Sequence, residues 1–118
     1  MRRLYLALGW TMIAAVVWLS LTPAPPEVDF AQSDKVGHLL SYAVLAFWFS
    51  QLYDGARRLF YLIGFVAMGL TLEFAQGALG YRTLDAMDMI ANALGVLLGW
   101  GAALGVPTAL PGAKKEAR

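Results

Sequence analysis

The sequence predicts an all-α fold, a four-helix up-down transmembrane bundle forming one domain over residues 1–118, and three observations carry that expectation. Four apolar runs of membrane length follow one another at about 4–21, 36–53, 59–79 and 84–106. The connections between them are short and rich in proline, glycine and charge. Apolar residues make up 59% of the 118 and charged residues 14%. A water-soluble domain of this length buries only about two-thirds of its unfolded surface, so much of that apolar excess would face solvent.

The first run, 4–21, carries no charge and as a helix measures about 27 Å, enough for a bilayer core. A cleaved signal peptide is the rival reading, because Arg2 and Arg3 precede it. The run is longer than the usual signal core, however, and no clean small-residue cleavage site precedes Pro23. Pro23, Pro25 and Pro26 lack amide donors and clash with a preceding helical turn, so 22–33 reads as a loop. The second run ends at the turn-like Asp54-Gly55, followed by Arg57 and Arg58. The third stops at Gly80, suited to a left-handed C-terminal cap, and the fourth ends before Pro107 and a polar tail. Short links between four helices imply antiparallel neighbours.

Basic residues orient the bundle, because cytoplasmic flanks collect Lys and Arg. With the N-terminus inside, Arg2, Arg3, Arg57, Arg58, Lys114, Lys115 and Arg118 face the cytoplasm, against Lys35 and Arg82 outside. Both termini are then cytoplasmic, and the proline-rich loop and the 80–83 turn face outward. The aromatics Trp10, Trp18, Phe47, Trp48, Phe60, Tyr61 and Trp100 read as lipid contacts and interfacial anchors.

With that orientation the conspicuous polar residues fall at the outer end. Asp34, His38 and Tyr42 share a face of the second helix through their four-residue spacing. Glu73 and Gln76 share a face of the third. On the fourth, Asp85 and Asp88 precede a stripe of Asn92, Gly95 and Gly99, whose glycines read as helix packing. Asp34, Glu73, Asp85 and Asp88 outnumber Lys35 and Arg82 by two, or by one with His38 protonated. A site of low dielectric with surplus carboxylates must hold a proton, bind a cation or receive a cationic ligand. The bland alternative is a salt-bridged collar at headgroup depth.

No cysteine is present, which excludes disulfides, thiolate metal sites and cysteine nucleophiles. The net charge of +1, with basic residues in short flanking clusters, gives no nucleic-acid stripe. There is no Ser-His-Asp triad, phosphate-binding glycine loop or HExxH pair.

Asp34-Lys35-x-x-His38-x-x-x-Tyr42, Glu73-x-x-Gln76 and Arg82-x-x-Asp85-x-x-Asp88-x-x-x-Asn92-x-x-Gly95 together resemble the VanZ-like family of bacterial membrane proteins. The match spans the second to fourth helices, about two-thirds of the chain. The family takes its name from an association with teicoplanin resistance, and most members have no assigned reaction. The resemblance implies a role at the cell envelope of the bacterial cytoplasmic membrane, on a lipid-linked or peptidoglycan-related molecule, without supplying a mechanism.

Three functions fit the cluster. In a membrane enzyme, Glu73 and Asp88 form an acid/base pair with His38 as proton carrier. Arg82 and Lys35 then hold a phosphate or carboxylate, and Gln76 and Asn92 orient the reacting group, with Asp34, Asp85 and Tyr42 completing the binding set. A non-catalytic binder of a lipid headgroup would use the same cations without proton transfer. A divalent metal held by His38 with Glu73, Asp88 or Asp34 would meet the acid surplus directly, and with one histidine and oxygen partners it suits a hard or borderline ion better than zinc. No motif calls for another cofactor, and the expected partners are membrane lipids and a lipid-linked envelope intermediate. Transport fits less well, since the inner halves of the helices show no polar file.

Overall fold

The computed structural model describes residues 1–21, 31–80, 86–107 and 109–113, with the backbone alone for 31–35. Among the described residues the regular structure is entirely helical: α1 (Arg2–Leu21), α2 (Ala31–Leu52), α3 (Gly55–Ala78) and α4 (Ala86–Gly105). Two helices extend beyond the apolar runs that signalled them. α2 begins at Ala31, inside the segment expected to be loop up to Ser33, because the prolines stop at Pro26 and Ala31 and Gln32 are sound helix formers. α3 begins at Gly55, so Arg57 and Arg58 lie in its first turn; a charge ends an apolar run but not a helix. Gly80 has φ +78°, the left-handed conformation expected after α3, and its amide bonds the Gly77 carbonyl at 3.2 Å.

α1, α3 and α4 are long and apolar enough to cross a membrane, whereas the apolar part of α2, Val36–Leu52, is shorter. α2 packs against all three other helices, with Tyr42, Leu45, Ala46, Phe49 and Leu52 fully buried.

The closest approach is between α2 and α4. Gly95 sits against the Leu39 carbonyl and Gly99 against the Ala43 carbonyl, so closely that a Cβ at either position would collide with backbone. The paired numbers rise together, so these two helices run in the same direction. α1 runs opposite to α2: Arg2 reaches the Leu52 carbonyl while Trp48 Nε1 donates to the Tyr5 carbonyl at 2.8 Å, and Gly9 faces the Phe49 and Trp48 rings. Phe49, Tyr53, Tyr61 and Phe65 form a ring cluster between α2 and α3, with the Phe49 and Tyr61 centroids 4.9 Å apart. Trp48 and Tyr61, expected to be membrane anchors, are therefore packing residues; their amphipathic rings are as useful between helices as at an interface.

Burial is inverted relative to a water-soluble protein. Large apolar side chains on every helix face outward, among them Leu8, Trp18, Leu40, Ile63, Phe74, Leu94 and Leu97. Ser50, Gln51, Glu73, Gln76, Asp88 and Asn92 are buried. Carboxylates and amides go inside, and leucines outside, when the surroundings are hydrocarbon.

The C-terminal end of α2 is closed by two arginines. Arg58 Nη2 donates to the Ser50 carbonyl at 2.7 Å and to Asp54 Oδ1 at 3.1 Å, while its Nε donates to the Tyr53 carbonyl at 3.1 Å. Arg2 Nη1 donates to the Leu52 carbonyl at 2.8 Å and to the Ala113 carbonyl, and its guanidinium lies 5.0 Å from the Tyr53 ring centroid. The last carbonyls of a helix lack partners within it, and here guanidinium forks supply them. Arg2 thereby joins the start of α1 to the segment after α4, where Ala113 is buried. If Arg58 served only as a topology signal, Arg58→Lys would be silent. As a two-carbonyl cap it cannot be replaced by a point charge, and Arg58→Lys is expected to lose about 2 kcal/mol in denaturant unfolding with topology unchanged.

Candidate functional site

The polar cluster lies where α2 and α4 begin and α3 ends. His38, in the second turn of α2, is gripped between two side chains of α4. Its Nδ1 is 2.9 Å from Asn92 Oδ1 and its Nε2 is 3.9 Å from Asp88 Oδ2. Asp88 and Asn92, four residues apart on one helix, reach the same ring from adjacent turns. Asp88 is 1% exposed, whereas the His38 side chain keeps 13% of its surface open. The ring thus lies between the buried acid and the exterior.

α3 supplies the third wall. Gly69 faces Asn92: a Cβ built on it would lie 2.8 Å from Nδ2, 3.1 Å from Cβ and 3.3 Å from Cγ. α3 runs opposite to α4, so Glu73, one turn beyond Gly69, comes level with Asp88, one turn before Asn92. Glu73 is also 1% exposed, and Tyr42, one turn along α2 from His38, is 2% exposed.

Glu73, Asp88, His38, Asn92 and Tyr42 therefore share this end of the bundle interior. Gln76 turns elsewhere: its Nε2 donates to the Ser20 carbonyl of α1 at 2.6 Å, tying the ends of α3 and α1 together. Asp34 and Lys35 occupy the first turns of α2, but their side chains, together with Arg82 and Asp85 entirely, lie outside the described residues. The acid surplus counted from sequence includes those four. Among the described residues no group of three or more His, Asp or Glu side chains is arranged to hold a metal ion.

Two features escape pattern reading. Gly69 belongs to no motif, and only the approach of α4 gives it a role. Ser50 and Gln51 are buried polar residues near the opposite end, where no polar side chain was expected inside; the Gln51 Nε2 donates to the Val106 carbonyl at 2.7 Å, closing the end of α4. Both lie within the second apolar run, and only their burial singles them out.

The arrangement can hold and pass a proton. An imidazole fixed by an amide on one nitrogen and facing a carboxylate with the other is a common way to position a general acid or base.

The chain is 35% identical over 101 residues to uncharacterized protein C11E3.10 of the fission yeast Schizosaccharomyces pombe, an alignment covering 82% of this chain. The chain spans about 60% of the length of that relative. No solved structure matches the chain. The VanZ/LLP1 family profile matches residues 10–107, from within α1 past the end of α4. With every described site residue inside that match and three helices fit to cross a membrane, the chain belongs to the VanZ/LLP1 family.

Proposed function

We propose that this is a multi-pass membrane protein that carries out acid–base chemistry on a lipid or lipid-linked molecule, with His38 as the proton carrier and Asp88 and Glu73 as the paired carboxyls. The observation that supports this reading most directly is His38 held between Asn92 and Asp88 inside a bundle whose outer surface is apolar. The separation of 3.9 Å between Nε2 and Oδ2 exceeds a hydrogen bond. A substrate hydroxyl about 2.8 Å from Nε2 has one hydrogen to give and donates it to that nitrogen, since the ionised carboxylate opposite also only accepts. That proton moves to Nε2 in step with attack of the hydroxyl oxygen on the electrophilic centre of the lipid and passes from Nε2 to the leaving group, while the Asp88 carboxylate steadies the imidazolium in between.

The basic residues favour both termini in the cytoplasm and the His38 end of the bundle outside, in a bacterial cytoplasmic membrane. Lys35 and Arg82 are the proposed anchors for an anionic headgroup, with Asp34 and Asp85 beside them. The yeast relative favours a ligand common to bacterial and fungal membranes, a lipid, over a component confined to bacterial walls. A binder that holds the same headgroup without chemistry is the second reading, favoured by the burial of Gln76 and Asn92 in contacts between helices.

The test is a comparison of lipids in cells lacking the gene and cells expressing the wild type, His38→Gln or Asp88→Asn, followed by incubation of the purified protein in nanodiscs with the species that accumulates. Conversion by the wild type, with a loss of about 10²- to 10⁴-fold in either variant at unchanged folding, is expected. Full complementation of the deletion by both variants would remove the proposal.

A further inference from the structure

We propose that Gly69 is a positioning residue for His38, acting through Asn92 to keep the imidazole hydrogen on Nδ1 and so make Nε2, the nitrogen facing Asp88, the one that gains and loses a proton. The proposal deepens the reading of His38 as proton carrier and rests on it for its use.

The chain of contacts crosses three helices. Asn92 is buried, with its whole side chain lying against the bare Cα of Gly69. The Cβ, Cγ and Nδ2 of Asn92 would all be crowded by a methyl group there, so rotating the amide tip alone gives no relief. The side chain would have to shift as a unit. Its Nδ2 edge is turned to α3 and its Oδ1 to His38, 2.9 Å from Nδ1. A carbonyl oxygen only accepts, so Nδ1 must donate. Nδ1 then carries hydrogen in both the neutral and the protonated ring, and the exchangeable proton belongs to Nε2. The reversed amide would present its NH₂ to Nδ1, make Nδ1 the acceptor and move the neutral ring's hydrogen to Nε2, which would then have no lone pair for a substrate proton.

Asp88 and Asn92 face the ring from α4, while Glu73 of α3 and Tyr42, one turn further along α2, are buried at the same end of the bundle. Asn92 Oδ1 lies against Nδ1, and on α3 it is Gly69 that the length of the Asn92 side chain lies against. The demand for glycine at position 69 therefore comes from the orientation of another residue's amide rather than from the backbone, since φ there is that of an ordinary helix.

The chain has one histidine, so nitrogen NMR of protein labelled with ¹⁵N-histidine reads this ring alone, without any substrate. In the wild type the neutral form is expected to show a protonated Nδ1 and a bare Nε2, the reverse of the tautomer a free side chain prefers. Asn92→Asp keeps an acceptor and should keep that tautomer; Asn92→Leu removes it and should release the ring. Gly69→Ala should lower the Nδ1–H to Nε2–H ratio about fivefold, the weight of one hydrogen bond. In Gly69→Ala combined with Asn92→Ala, the space returns but the acceptor does not, so folding should recover while the tautomer stays released. A wild-type ring with its hydrogen on Nε2 would overturn the proposal. So would Gly69→Ala with an unchanged ratio, or a double variant no more stable than a Gly69→Ala protein that fails to fold. A negative lipid assay leaves these readings intact, so the failure of the proposed chemistry and of this positioning role are separable.

Discussion

Gly99→Ala is expected to cost at least about 3 kcal/mol and to leave little folded protein, although it adds one methyl group and improves helix propensity. The new Cβ would run into the carbonyl oxygen of Ala43 and lie 2.9 Å from both its carbonyl carbon and the Ala46 Cβ. Backbone cannot rotate away as a flexible side chain does, so α2 and α4 would have to separate. The same holds for Gly95→Ala against Leu39. Separation would open the longest seam of the bundle and also the wall that holds His38 against Asp88 and Asn92. Gly101 and Gly105, on the same helix, are built-in controls, since a Cβ at either meets nothing within 4 Å. Gly101→Ala should be neutral or stabilising by up to about 1 kcal/mol. Thermal unfolding of the four variants in one detergent makes the comparison, and equal stability of Gly99→Ala and Gly101→Ala would refute the packing described for the α2–α4 seam.

Glu73→Asp is expected to lower turnover about 10²-fold while leaving the bundle folded, because it keeps the charge and withdraws the carboxyl by one carbon–carbon bond. Glu73 is buried level with Asp88, and a reacting group displaced by about 1 Å loses this much through geometry alone. A site that only binds a headgroup would respond differently. Its interaction with a carboxylate falls gradually with distance, so affinity should drop no more than severalfold. The measurement is the rate of lipid conversion and the lipid dissociation constant of the same purified variant. A silent rate would take Glu73 out of the chemistry and favour the binding reading. A parallel fall in both quantities would instead indicate a disturbed fold, which Glu73→Gln, closer in size, serves to expose.

The spacing of Asp88 and Asn92 was enough to put them on one face, and the spacing of Glu73 and Gln76 likewise. It could not say which neighbour each face would meet. Gln76 points to Ser20 of α1, whereas Glu73, roughly 60° away round the helix axis, is buried without reaching that carbonyl. Arg58 shows the same limit. Its place after an apolar run marks it as a flank in sequence, whereas folding makes it the cap of the preceding helix. Trp48 was read as an anchor because a periodic apolar helix does not reveal whether its partner is lipid or protein, and both are apolar.

The number of helices, their approximate limits, the turn at Gly80 and the gathering of polar residues toward one end are one-dimensional properties, set by runs of apolar residues and by residues unable to continue them. They are written along the chain and need no partner to be read. That Gly95 and Gly99 are indispensable, which nitrogen of His38 faces Asp88 and that Arg2 closes α2 depend on distances between residues some 50 to 56 positions apart in the sequence. Such distances come into being only when helices pack, because steric exclusion and hydrogen bonding act over a few ångströms and know nothing of sequence order.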